Sequence, residues 1–218
     1  MLTKKQWTLR FLIYSVGLMT LALGVTFSTK AGLGISPITA VPYSIANAFP
    51  VIPFSVSVFL VYAVMLAVQF AVKGKRREWR DLLQIPFSFV LSAFLEWFGA
   101  LFDLQFDNLW QNLLLLALAT VCIGVGAAMM VAMHMVPNPP DGVIYAVFLV
   151  TGRDMGLLKN LLDLLCVAIA AAVDLVFTGS LTSVGLGTVV VMVLTGRVVY
   201  VFNRLFRRRL IKMAGLES

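Results

Sequence analysis

The chain is short of charge. Asp, Glu, Lys and Arg make up 12% of its 218 residues, against about 25% in a soluble domain. That is too little polar side chain to cover a water-facing surface. No stretch is long and polar enough for a soluble domain. Metal chemistry lacks material as well. There is one histidine, His134, and there are two cysteines, Cys122 and Cys166, which lie in separate apolar runs. Zinc sites need clustered ligands at set spacings, so no metal site is expected. No GxSxG or HExxH frames a nucleophile or a base. We therefore expect no enzyme and no cofactor.

What the chain does have is hydrophobic length. Some 61% of the residues are hydrophobic. Apolar runs lie at about 11–29, 33–49, 54–72, 82–102, 109–136, 142–152, 157–177 and 184–206. Runs near twenty residues are what a bilayer-crossing helix requires. The N-terminus resembles a signal peptide, but the run continues without a clear cleavage site and reads as a first span. The formal charge of +7 would suggest nucleic acid in a soluble protein. Here basic residues flanking spans explain it, and no nucleic acid is expected. The lipid bilayer is the expected surrounding.

The basic residues set a topology. Lys4, Lys5 and Arg10 precede the first run; Lys73, Lys75, Arg76, Arg77 and Arg80 follow the third. Arg153 and Lys159 flank the gap before the seventh run, and Arg204, Arg207, Arg208, Arg209 and Lys212 follow the last. If all four clusters are cytoplasmic, fifteen of the seventeen Lys and Arg lie inside, as the positive-inside rule favours. Segment 33–49 must then begin and end outside, and 138–152 must begin and end inside. Each reads as a re-entrant segment. The competing reading is that Pro37 and Pro139–Pro140 only kink ordinary spans.

Local chemistry fits re-entry. In GLGISPITAV, Ser36 can cap a helix and Pro37 can be its first residue. The helix that follows, about 37–48, is too short to span. In MVPNPPDGVI, Asn138 can cap, Pro139 can start the helix, and Asp141 lies in its first turn. Irregular backbone at that depth survives only against protein or water. The two halves also align with a shift of about 103 residues, setting Pro37 on Pro140, Val41 on Ile144 and Ser92 on Thr195. We expect two repeats, 1–103 and 104–218. Each reads span, re-entrant segment, span, span, and three crossings invert the second repeat relative to the first.

The opening run, AGLGISPITAVPYSIANAF, the PPDG stretch and the GLGT segment resemble the YczE/YitT-like bacterial membrane proteins over nearly the whole chain. The resemblance implies a bacterial inner-membrane protein. It carries no catalytic signature and adds little about substrate.

Asp141 is the first candidate for function. Intramembrane carboxylates often belong to ion or proton pathways, although a cap at a helix start is the plainer role. Asn138, Ser36, Thr39, Pro37 and Pro140 surround the proposed meeting point of the two short helices. Two helix N-termini facing one cavity would attract an anion, and Asp141 works against that. Asp163 and Arg197 each sit roughly 9–10 Å from the cytoplasmic edge at 1.5 Å per residue. Matched depth suggests an ion pair, either a structural clamp or a gate; Arg197 can also snorkel alone. Glu96 and His134 are candidates for a proton relay, though a helix-end histidine satisfying carbonyls is more common. Asp174, Asp103 and Asp107, near the outer edge, read as solvated.

The fold expected is thus an all-α polytopic membrane protein. It has six transmembrane helices plus two re-entrant segments in an inverted repeat, with both termini cytoplasmic. The function expected is transport or channel-like passage of a small polar or charged solute, with Asp141 the candidate for proton coupling. The alternative is a non-transporting regulator or a subunit of a larger membrane complex. Either a homo-oligomer or a partner membrane protein is compatible with the sequence.

Overall fold

The computed structural model describes residues 3–216, which form helices and turns with no strand among them. Helix α1 (Lys4–Lys30) opens on a capping box. The Thr3 hydroxyl accepts from the Gln6 amide, and the Gln6 side chain accepts from the Thr3 amide at 2.8 Å. Then come α2 (Pro37–Ala48), α3 (Phe54–Lys73), α4 (Gln84–Leu101) and α5 (Leu109–Ala132). The second half continues with α6 (Pro139–Thr151), α7 (Met155–Val173), α8 (Leu186–Phe202) and the short α9 (Arg208–Met213). A π-helical turn, Asp174–Thr178, prolongs α7, and another, Asn203–Arg207, joins α8 to α9.

Six helical stretches are long and apolar enough to cross a membrane: Lys4–Lys30, Phe54–Arg76, Trp79–Leu101, Leu109–Ala132, Met155–Thr178 and Leu186–Met213. The protein is therefore an all-helical, multi-pass membrane protein. The two remaining elements differ. α2 has 12 residues and α6 has 13, or roughly 18–20 Å at 1.5 Å per residue. A bilayer core is about 30 Å thick.

The centre is the antiparallel pair α1 and α5. Gly17 and Gly24 on one helix meet Gly126 and Ala119 on the other. A Cβ added to Gly126 would lie 2.5 Å from the Leu21 amide nitrogen. Small residues let the two backbones approach this closely. α4 packs on α1 and α3, while α8 packs on α5. α2 lies against α7 and α3, and α6 lies against α3 and α7. The largest buried cluster joins Leu18, Leu21 and Val25 of α1 to Leu91 and Leu95 of α4 and to Leu116 and Ile123 of α5.

Each short helix is fixed at both ends. At the end of α2, the Asn47 amide donates to the Thr182 hydroxyl at 3.1 Å. There too the Phe49 and Phe177 rings stand 5.1 Å apart. Its first turn packs Ala40 and Val41 on Cys166, halfway along Met155–Thr178. The chain leading in is held by α8 and the loop before it: Gly187 donates to the Leu33 carbonyl at 2.7 Å, and Ile35 donates to the Ser183 carbonyl at 3.2 Å. Gly34, between them, has φ 103° and faces the Gly185 backbone. A side chain there is excluded by conformation and by space. At the end of α6, Arg76 Nη1 donates to the Leu149 carbonyl at 2.6 Å. Gly152, at φ 65°, then turns the chain into α7.

Two acidic residues lie in buried clasps before the last helix of each half. Asp81 pairs with Lys73, both side chains at least nine-tenths buried. Asp174, expected to be solvated, is fully buried. Its carboxylate accepts from the Thr182 and Ser183 amides and from both hydroxyls at 2.7–3.0 Å. The loop 179–185 folds back onto the end of α7, and that removes the carboxylate from solvent.

Candidate functional site

The polar stretch Met135–Ile144 lies along a cavity of about 810 Å³. The turn before α6 is pinned by α1. Arg10 donates to the Met133 and His134 carbonyls at 2.7 and 2.6 Å, and the Tyr14 hydroxyl donates to the Val136 carbonyl at 2.9 Å. His134 adopts φ 48°, a left-handed conformation uncommon outside glycine. This backbone path delivers Asn138 and Asp141 to one side of the cavity, and α7 delivers Lys159 to another. Most of the remaining wall is apolar, including Met130, Val131, Met135, Ile144 and Met155.

Asn138 is the residue before α6, but its side chain makes no capping bond, and Ser36 makes none at α2. In the first case a proline removes one of the two amides that a cap would use. An Asn at that position would cap through the amides of the second or third helical residue, and here the second is Pro140. The Asn138 Oδ1 is left buried without a partner. At α2 the Ser36 hydroxyl instead meets the Thr39 hydroxyl at 2.6 Å.

Asp141 accepts no side-chain or backbone hydrogen bond among the described residues. It lies within charge-interaction range of Lys159 and Asp163. Lys159 Nζ holds Asp163 Oδ2 at 2.8 Å. Asp163 is 2% exposed, and its other oxygen has no partner. Tyr62, buried halfway along α3, stands beside Asn138 and Asp141. Asn138, Asp141 and Lys159 line the cavity; Asp163 and Tyr62 stand next to them and are not among its lining residues.

The expected ion pair of Asp163 with Arg197 does not form. Asp163 pairs with Lys159, one turn away on its own helix, while Arg197 lies on the exposed side of α8. α8 packs on α5, so equal depth did not bring the two helices' charged faces together. His134 does line the cavity. Glu96 does not: it takes a hydrogen bond from Ser55 on α3 and is exposed on α4. The two are not assembled into one relay. Pro140 is buried at the α6 start. Ser36, Pro37 and Thr39 belong to the other short helix, and the cavity wall takes no residue from α2. The two short helices do approach across a separate apolar groove, lined by Val41 and Ile45 of α2 and Val143 and Ile144 of α6.

Lys159 and Tyr62 were missed as members of the site. Lys159 is four residues before Asp163, an ion-pair spacing on a helix, and that signal was readable. Tyr62 is a single phenol in an apolar run, which carries no such signal. Gln69 and Gln84 were missed too. They join across α3 and α4 at 3.0 Å, against Gly142, and are fully buried.

Residues 8–204 match the family described as "Family of unknown function (DUF6198)". The chain belongs to this family. No curated protein and no solved structure matches it. The family match does not carry the YczE/YitT-like name.

Proposed function

We propose that this family member moves a small polar or charged solute across a bacterial inner membrane. α2 and α6 would act as re-entrant segments of two inverted repeats. The observation that carries this reading is a cavity holding Asn138, Asp141 and Lys159 at the start of a helix too short to span, inside an otherwise apolar bundle. Ionisable groups in such a place are costly and are typically retained for function. Broken helices meeting near the midplane are a recurrent form of transport site.

The repeat has its own support. The starts of α5 to α8 follow those of α1 to α4 by 101–105 residues. Packing partners exchange in the same way: α2 on α7 answers α6 on α3, and α1 on α4 answers α5 on α8. Three crossings per half invert the second half. With the Lys and Arg clusters inside, both termini are cytoplasmic. The YczE/YitT-like resemblance agrees with this placement. Asp141 is the group best situated to couple solute to a proton. We propose no enzymatic role.

One observation favours the alternative, a non-transporting subunit or regulator. α7 and α8 expose much of their apolar surface, and Arg197 stands on that side without an ion-pair partner among the described residues. A neighbouring membrane protein could cover it.

Reconstitution separates the two. The purified protein is placed in liposomes holding a pH-sensitive dye and challenged with amines, carboxylates and amino acids. Transport predicts a response to at least one solute that is lost in Asp141→Asn while the variant stays folded. A silent panel with folded, oriented protein would discard transport and favour the subunit.

A further inference from the structure

We propose that the cavity beside α6 takes a primary amine carried on an apolar body, its ammonium group seated against Asp141 and Asn138, which line it. The proposal deepens the transport reading by naming the substrate class, and it rests on the same site.

The first argument is a surplus of acceptors. Asn138 Oδ1 and Asp163 Oδ1 are buried without partners, and Asp141 accepts no hydrogen bond among the described residues. The one cation at the site, Lys159, is already engaged by Asp163 Oδ2. With both carboxylates ionised, two against one ammonium leave one negative charge for a ligand to balance. Buried acceptors without donors are costly, and a charge in low dielectric calls for a counter-charge. A donor cation supplies both.

The second argument is a shortage of donors. A helix start usually offers about four free amides and so attracts anions. Here two of those positions are Pro139 and Pro140, which have no N–H. Gly142, next in line, donates to the Asn138 carbonyl at 2.9 Å. At the start of α6 only the amides of Asn138 and Asp141 remain to face a ligand. Asp141 itself sets a carboxylate where an anion would go. An anion is poorly served on both counts.

The third argument is size. A volume of about 810 Å³ far exceeds the ~30 Å³ share of one water, so a bare ion leaves most of it unused. The wall holds Met130, Met135 and Met155, flexible side chains that adapt to varied apolar shapes. An ammonium with an alkyl or aryl body fills both parts. A primary ammonium has N–H donors for the Asp141 carboxylate and the Asn138 oxygen that line the cavity; a quaternary ammonium has none.

The test uses the full chain in detergent, with binding measured by calorimetry. Benzylamine is expected to bind, with benzoate, benzyl alcohol and benzyltrimethylammonium each at least tenfold weaker. Asp141→Asn should weaken benzylamine at least tenfold. Val131→Trp, which fills the cavity from its exposed wall, should do the same without touching a charge. No benzylamine binding, equal binding of benzoate or of benzyltrimethylammonium, or indifference to both substitutions would overturn the proposal. Flux in liposomes separates it from the transport reading. Benzylamine bound at Asp141 but not moved upholds the amine site and sinks transport. Benzoate moved in an Asp141-dependent way upholds transport and sinks the amine.

Discussion

Lys73 and Asp81 form an ion pair out of contact with water, Nζ lying 2.9 and 2.8 Å from the two carboxylate oxygens. The side chains are 4% and 9% exposed. The pair closes the basic loop onto the end of α3, and the Lys73 ammonium also stands 5.6 Å over the Tyr145 ring of α6.

Removing one partner leaves a buried charge. Lys73→Met should lower stability by about 3–5 kcal/mol. The double variant Lys73→Met, Asp81→Leu should recover most of that loss, because apolar groups of similar volume often replace a buried pair at little cost. Denaturant unfolding in mixed micelles measures both. A double variant as unstable as Lys73→Met would mean that the pair is needed for its geometry, not only for its charge balance.

The architecture was legible because hydrophobic length and basic flanks are properties of whole segments. Pro37 and Pro139 start α2 and α6 as expected, since proline at a helix start acts through its own ring. The site was legible only in part. Asn138 and Asp141 announce themselves as polar residues in an apolar chain. Their partner Lys159 was readable in hindsight, because a helix repeats locally. Arg197 matches Asp163 in depth alone, and depth along two helices says nothing about which faces meet. Asp174 failed for a similar reason. Whether a loop folds back onto a helix end depends on tertiary contacts with Thr182 and Ser183 that no local pattern encodes.

The α1–α5 contact makes a prediction with a built-in control. A methyl at Gly126 would lie 2.5 Å from the Leu21 nitrogen and 2.6 Å from the Gly17 carbonyl oxygen. Backbone atoms cannot step aside as a side chain can, so the helices must separate. Gly126→Ala should destabilise by about 1–3 kcal/mol, the usual range for overpacking. Gly99 and Gly196 are also helical, and nothing lies within 4 Å of an added Cβ at either. Gly99→Ala and Gly196→Ala should gain up to about 1 kcal/mol through helix propensity. Opposite signs in thermal unfolding support the close approach; the same sign at all three positions would refute it.

The turn after the first short helix tests re-entry directly, and the turn after the second gives a control. Val51 follows α2 and is 93% exposed; Arg153 follows α6 and is exposed. In a background where Cys122 and Cys166 are replaced, Val51→Cys should react with a membrane-impermeant maleimide added to intact cells with the outer barrier removed. Arg153→Cys should react only after the inner membrane is opened in either topology, and so controls for leaky cells. If α2 and α6 crossed the bilayer instead, Val51 would lie inside and the Lys75–Arg80 loop outside. A cysteine at Lys75 would then label from outside, while Val51→Cys would stay protected. That pattern requires a 12-residue helix, roughly 18 Å long, to cross a core of about 30 Å. It also places a cluster of basic residues on the side the positive-inside rule disfavours. The two physical costs point the same way, so we expect Val51 outside and Lys75 protected.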